Sequence, residues 1–375
     1  MNVMRTENSI EDHTFQSTAF FFITHKINNS APRQVSGCVM DQRLVDHYID
    51  LRLRPSIERR LTNRTYNNRV GYGPNEAVRT LIAEIRRATD NWTRDDVWLI
   101  GLDISGYFPN ANQDIAYQQL SSLAAEDFAG APDYDTLQYM ILRSVYSYAT
   151  HHCYWKSPPH MRKEINPDKD IFTKREGIGA VIGRLMWQNG MNYYLNDVDH
   201  WAIDEMGLIY LRFVDDIFII THNKEACLAY VIPELRRRLA EKGCTLHPRK
   251  FYCQHWTKGG SFISHPFKRN RVYVNDRTVY TALCTVKYKF PNASLQRLES
   301  FIQSANSHLG IFKTRCGYNI ALRYISQVNP DWWQWCKFNP DRCCIEALPG
   351  YGHLDRLERL THFRFKRKKG KLIQN

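Results

Sequence analysis

Two short apolar runs, each interrupted or ended by carboxylates, stand out along the chain. Trp98 to Ile104 reads Trp-Leu-Ile-Gly-Leu-Asp-Ile, and Leu208 to Ile220 carries Asp215 and Asp216 at its middle. Runs this short and this rich in branched residues predict buried strands, the second folded as a hairpin. Between them, Ser157 to Glu176 holds Pro158, Pro159 and Pro167 among polar residues, which predicts a long loop or small insertion. Leu228, Val231, Ile232, Leu235 and Leu239 recur at helical spacing, with Pro233 set to split that segment by taking a first-turn position. Leu298, Phe301, Ile302, Ala305 and Leu309 form a cleaner stripe in a separate C-terminal unit, with Asn292 or Ser294 as the expected helix cap. No internal repeat is visible, so the pattern is mixed α and β rather than a solenoid.

Composition narrows the function classes. The 375 residues are 43% hydrophobic and 24% charged, which is ordinary for a globular chain of two or three domains. No apolar run reaches the roughly 18 to 20 residues that span a bilayer, and Glu7, Glu11 and Asp12 lie where a secretory signal needs basic and then apolar residues. A cytoplasmic location and no membrane partner are therefore expected. Ten cysteines without a C-x-x-C pair point to reduced thiols rather than a disulfide framework. Fifty-one Lys and Arg against 38 Asp and Glu leave a net charge of +13, which favours an anionic partner, nucleic acid first. Arg364, Lys366, Arg367, Lys368, Lys369 and Lys371 concentrate that charge in a tail. It reads either as a solvated end or as a phosphate-binding arm whose affinity falls steeply with salt.

The carboxylates carry the chemistry. Two adjacent charges inside an apolar hairpin cost several kcal/mol unless paired or metal-bound. Asp103 would add a third if its strand neighbours the hairpin. Hard oxygen ligands suit Mg²⁺, and three carboxylates can hold two metals for attack of a 3′-hydroxyl and departure of pyrophosphate. An exposed Asp-Asp turn is the plain alternative, and the apolar flanks oppose it.

Phe213-Val214-Asp215-Asp216 resembles the [YF]-x-D-D motif of reverse transcriptases, and Asp103-Ile104-Ser105-Gly106-Tyr107-Phe108 resembles their first catalytic motif. Several further segments resemble, more narrowly, reverse transcriptases of diversity-generating retroelements. These are Arg69-Val70-Gly71-Tyr72-Gly73, Ile182-Gly183 followed by Gln188, Leu246-His247-Pro248-Arg249-Lys250, Phe262-Ile263-Ser264, and Ala305-Asn306-Ser307-His308-Leu309-Gly310. The likeness spans about residues 60 to 325.

The resemblance implies an α+β right-hand polymerase with fingers, a palm built on an antiparallel sheet, and a helical thumb. Residues 1–59 would be an N-terminal extension, 60–96 and 130–177 fingers, 97–129 and 178–275 palm, 276–361 thumb and 362–375 a basic tail. It assigns Asp103, Asp215, Asp216 and the Ile104 carbonyl to two Mg²⁺ ions, with Mn²⁺ able to substitute. Phe108 falls at the aromatic gate that crowds a ribose 2′-hydroxyl, unless it is a core aromatic. Ile182 and Gly183 would border the incoming nucleotide, unless Ile182 is simply apolar helix packing, and Gln188 would border the template. The apolar Ile182 in place of a polar residue implies lower fidelity. Trp187 departs from the family's Ser and puts the close packing of that motif in question.

Arg69 would reach the triphosphate or template, although a plain turn with a surface Arg explains it as well, and Tyr72 stands where the family has Lys. Lys250 would lie near the departing pyrophosphate as a general acid, or else contact a backbone phosphate or solvent. Gly260 to Ser264 resembles the primer-gripping hairpin, with Ser264 where Gly is common. Trp332, Trp333 and Trp335 serve either base stacking or, as the simpler reading, helix packing.

The implied partners are a template RNA, its cDNA, deoxynucleoside triphosphates and a small basic accessory protein oligomer. The implied role is mutagenic retrohoming, error-prone at adenines, by a bacterial or phage-encoded enzyme. Rivals are a retron or abortive-infection reverse transcriptase, a nucleotidyl cyclase, and a catalytically inactive RNA-binding scaffold.

Overall fold

A computed structural model describes residues 2–16, 19–26, 30–147 and 150–352. The chain divides into two compact units: residues 1–263 with 268–270, and residues 264–267 with 271–375.

The first unit runs α1 (Asn2–Glu11), β1 (Ala19–Lys26), β2 (Ser30–Cys38), α2 (Met40–Arg60), α3 (Pro74–Ala88), β3 (Trp98–Ser105), α4 (Gln113–Phe128) and α5 (Tyr134–Val145). It continues through β4 (Cys153–Trp155), α6 (Pro159–Arg162), α7 (Leu185–Tyr194), α8 (Asn196–His200), β5 (Ile209–Phe213) and β6 (Asp216–Thr221). It closes with α9 (Lys224–Ala226), α10 (Ile232–Glu241), β7 (Thr245–Leu246), β8 (Tyr252–His255) and β9 (Gly260–Phe262).

The central antiparallel sheet has the order β5-β6-β3-β7, and β8 also pairs with β3. β3 is buried from Leu99 to Ile104, as a strand with neighbours on both edges and cover on both faces must be. Gly101 interrupts its apolar run because the Tyr252 ring lies across that position, where a Cβ would collide with it. The sheet packs on a core to which α2, α4, α5 and α7 contribute Val45, Ile49, Leu120, Leu123, Ile141 and Trp187, all nearly inaccessible.

Residues read as an N-terminal extension contribute Ile10, Phe15, Phe21 and Val45 to this core. β1 pairs with β2 and β4 in a three-stranded sheet, and Phe21 is buried beneath it. Pro32 is tolerated in β2 because β2 is an edge strand. The predicted loop at 157–176 contains only α6 and 3₁₀ turns at Pro167–Lys169 and Ile171–Thr173. Pro233 does not break its helix outright: a π-helical turn, Cys227–Val231, precedes α10, and the proline sits in the first turn of α10.

The second unit contains α11 (Asp276–Cys284), α12 (Leu298–Lys313), α13 (Tyr318–Ser326) and a hairpin of Cys336–Asn339 with Cys344–Ala347. The apolar stripe of α12 buries Leu298, Phe301, Ala305, Leu309 and Phe312. Its expected cap is corrected: Ser294 precedes a 3₁₀ turn, makes no capping hydrogen bond, and α12 starts at Leu298. Trp332 is completely buried and stacks on Phe301 at 4.3 Å between ring centres. The tryptophan cluster is therefore packing. Asn306 holds the hairpin to α12, accepting from the Ile345 amide at 2.6 Å and donating to the Ile345 carbonyl at 2.8 Å.

Candidate active site

Register brings the acids together. β3 and β6 run antiparallel with Asp103 opposite Asp216, and the Ile104 amide donates to the Asp215 carbonyl at 2.8 Å. The Asp103 carbonyl accepts from the His247 amide at 2.7 Å, which ties the start of the 247–250 turn to the same point. Asp103 is buried, and Asp215 and Asp216 are half-buried. Burial, followed by the charges of Asp215 and Asp103, pushes the Asp216 carboxyl up to about 7. Burial and then Asp103 also raise Asp215, against the relieving charges of Lys250 and Arg33. Two carboxylates that resist ionising, set beside a third, form a site waiting for positive charge.

Part of that charge is internal. Lys250 Nζ donates to Asp103 Oδ1 at 2.6 Å, from a side chain that is still 55% exposed. It is thus at the acids and open to an approaching phosphate. Among the described residues no three His, Cys, Asp or Glu side chains are gathered tightly enough to enclose an ion. The donor chemistry nonetheless fits a hard divalent cation, because only added positive charge relieves the repulsion that burial imposes on Asp215 and Asp216.

The neighbouring motif is built on a close approach. Gly183 has φ 112°, and a Cβ there would collide with the Ser36 carbonyl oxygen. The Ser36 amide donates to the Ile182 carbonyl at 2.7 Å, so β2 fixes the loop that presents half-buried Ile182. Trp187 finds its room in the core, where it is 2% exposed. Gln188 is half-buried one turn into α7, and its carbonyl accepts from the Asn68 side chain at 3.3 Å. Tyr107 is the buried aromatic, donating to the Met191 carbonyl at 2.5 Å, while Phe108 remains half-buried beside it.

Arg69 is elsewhere engaged. Its Nε donates to Glu58 at 2.7 Å, its Nη1 donates to the Thr62 and Thr65 carbonyls at 2.6 and 2.8 Å, and its guanidinium lies over the Tyr72 ring. Only 6% of the side chain is exposed. Its charge holds its own loop, and Tyr72 provides that charge with a cover. The cation that bears on Asp215 besides Lys250 is Arg33, on β2, which sequence reasoning missed. The signal was alternation: Gln34, Ser36 and Cys38 are buried while Arg33 is exposed. Polar buried positions made that alternation hard to see.

The 260–264 segment forms β9 and then a turn in which Ile263 and Ser264 have φ 53° and 59°. Ser264 thus adopts the left-handed conformation for which Gly is the usual choice. The tail residues Arg364, Lys366, Arg367, Lys368 and Lys369 lie outside the described residues. Among the described residues no helix is long and apolar enough to cross a membrane.

Residues 24–267, more than half of the chain, match the family model described as reverse transcriptase (RNA-dependent DNA polymerase). No curated protein matches. Among solved structures, apo telomerase from Candida tropicalis aligns with TM-score 0.50 at 13% identity, over 77% of this chain and 52% of that one. A form of it truncated from the C-terminal domain gives 0.47 at 13% identity, over 73% and 60%. Telomerase from Candida albicans, in complex with a fragment of telomeric RNA, gives 0.45 at 8% identity, over 83% and 54%. The chain therefore spans 52% to 60% of the length of these telomerase chains, and the likeness at TM-score 0.50 is one of fold alone.

Proposed function

We propose that this chain, which belongs to the reverse transcriptase family of RNA-directed DNA polymerases, copies a template RNA into cDNA at the Asp103, Asp215 and Asp216 cluster. One observation carries the reading: the β3–β6 register sets Asp103 opposite Asp216, with Asp215 adjacent and the acid pair raised by burial and repulsion. Domains of this family use divalent metal ions, and here the three carboxylates with the Ile104 carbonyl would hold two Mg²⁺ ions, or Mn²⁺ in their place. Bound there, the metals would favour the alkoxide form of a primer 3′-hydroxyl and offset charge on the triphosphate.

The remaining steps fall to the chain's own groups. Lys250 would leave Asp103 for the departing pyrophosphate and supply it with a proton or a positive charge. Arg33 would neutralise triphosphate oxygens. Phe108 would crowd a 2′-hydroxyl and so favour deoxynucleotides, and Gln188 would border the template. Ile182 would hold base shape while offering no hydrogen bond, a difference worth only about 1–3 kcal/mol between bases.

This last feature supports the narrower reading: an error-prone, adenine-biased enzyme of the diversity-generating retroelement type, working with a structured template RNA and a small basic accessory protein oligomer in a bacterial or phage-encoded system. In that reading residues 60–96 and 130–177 act as fingers, 97–129 and 178–275 as palm, 276–361 as thumb, and the basic tail as a phosphate-binding arm.

The test is primer extension on the cognate transcript, with accessory protein and Mg²⁺ or Mn²⁺, followed by sequencing. Wild type should extend with errors at template adenines, and Asp215→Ala should not extend. Extension by Asp215→Ala would refute the polymerase site, and an even error spectrum would refute the narrower reading alone.

A further inference from the structure

The turn between β5 and β6 bends at a residue ill suited to it. Val214 has φ 56°, the left-handed region, which a β-branched side chain occupies only under strain. Asp215 and Asp216 follow at once, so relaxing Val214 to an ordinary φ would swing both carboxylates away from Asp103.

A buried guanidinium reaches this turn. Arg212 is completely inaccessible, and its Nη1 donates to the Val214 carbonyl at 3.3 Å. Its Nη2 donates to the Asn192 carbonyl at 2.8 Å near the end of α7. Its Nε and Nη2 grip the Asp199 carboxylate at 2.8 and 2.6 Å. Asp199 is equally inaccessible and also accepts from the Thr65 and Tyr210 hydroxyls, both at 2.9 Å. The Arg212 backbone is fixed as well, its amide donating to the Arg64 carbonyl at 2.9 Å and its carbonyl accepting from the Tyr66 amide at 3.1 Å. Packing does not call for this arrangement, since apolar residues in place of a buried ion pair are often neutral or stabilising. What the pair adds is a donor directed at the carbonyl of the strained residue.

We propose that Arg212 is a positioning residue: locked by Asp199, it holds Val214 left-handed and thereby aims Asp215 and Asp216. This rests on reading those two aspartates as metal ligands. A lysine would keep the charge but lacks the fork needed to serve Asp199, Asn192 and Val214 together.

A double-mutant cycle over Arg212→Lys and Val214→Gly tests it, with full-length protein, accessory protein and primed RNA, well below each variant's melting temperature. Glycine adopts the left-handed φ without a clamp. Arg212→Lys should lower kcat roughly 10- to 100-fold while KM for the deoxynucleotide stays within about 2-fold. In the Val214→Gly background the same change should lower kcat less than about 3-fold, with the same fall in melting temperature as in the parent. Equal kcat losses in both backgrounds, or losses that merely follow the folded fraction, would overturn the proposal. If Arg212→Lys alone does not fold, the pair Arg212→Lys with Asp199→Glu keeps a buried ion pair and runs the same cycle. Asp215→Asn is assayed alongside. Wild-type extension by Asp215→Asn would remove the metal-ligand reading, whereas an inactive Asp215→Asn with an additive cycle would sink only the role of Arg212.

Discussion

The two units of this chain are held by different chemistry. The first unit buries ion pairs: Arg184 with Asp46 at 2.6 Å, each at most 2% exposed, and Arg212 with Asp199. Both units bury aromatic rings, Phe21, Trp187 and Phe218 in the first and Phe290, Phe301, Phe312, Tyr324 and Trp332 in the second, but among the described residues the second unit buries no such ion pair. Aromatic pairs prefer stacked or edge-on geometry but carry no charge to desolvate. Buried ion pairs cost desolvation and in return fix orientation. The first unit carries the acid cluster, and its ion pairs lie where orientation matters: Arg184 follows Gly183, and Arg212 precedes Phe213 and the acidic turn. The difference teaches that the first unit adds buried charge that fixes placement to the aromatic cohesion that both units share.

The largest effect should come from breaking a pair on one side only. Arg184→Met leaves Asp46 buried without its partner and should destabilise the first unit by about 3–5 kcal/mol in a denaturant titration, with Arg184→Lys recovering little. Trp332→Ala should cost the second unit a comparable or slightly smaller amount, about 3–4 kcal/mol, but Trp332→Phe should recover much of it. If Arg184→Lys and Trp332→Phe were rescued equally well, the contrast between the units would be lost.

The next effect is pH-dependent and belongs to the first unit. Asp216 titrates at about 7 in the folded chain, against about 3.9 unfolded. Its raised value means that the folded state binds the extra proton, so its stabilising contribution is complete below pH about 4 and lost as pH climbs through about 7. Metal-free protein should therefore melt lower at pH 8 than at pH 5.5, by something on the order of 2 kcal/mol, and added Mg²⁺ should raise the melting temperature more at the higher pH. Asp216→Asn should flatten both trends, and differential scanning fluorimetry reads them. The smallest effect is selective: Phe108→Ala should raise ribonucleotide incorporation by about 10-fold in single-nucleotide extension, with little change in melting temperature.

The sequence made some of this legible and hid the rest for physical reasons. The two carboxylate-bearing strands were readable because apolar flanks make a charge conspicuous, and the α12 stripe because its burial is periodic. β1 and β2 were not readable, since β2 turns Gln34 and Ser36 inward and places Pro32 on an edge. Arg69, Arg184 and Arg212 were unreadable as buried groups. Asp46 is 138 positions from Arg184, and one sequence does not show which distant acid will neutralise a basic residue. The same limit hid the Glu58 partner that engages Arg69 and passed over Arg33 as a cation acting on Asp215. Ser294 had the right chemistry for a cap, and the intervening 3₁₀ turn displaced the helix start beyond its reach.

The most direct measurement of the central claim is Mn²⁺ binding followed by electron paramagnetic resonance, in the presence of a non-hydrolysable deoxynucleotide and primed RNA. The account predicts two ions per wild-type chain, with binding weakened at least 10-fold in each of Asp103→Asn, Asp215→Asn and Asp216→Asn while the variants remain folded. Unchanged stoichiometry and affinity in the three variants would contradict it.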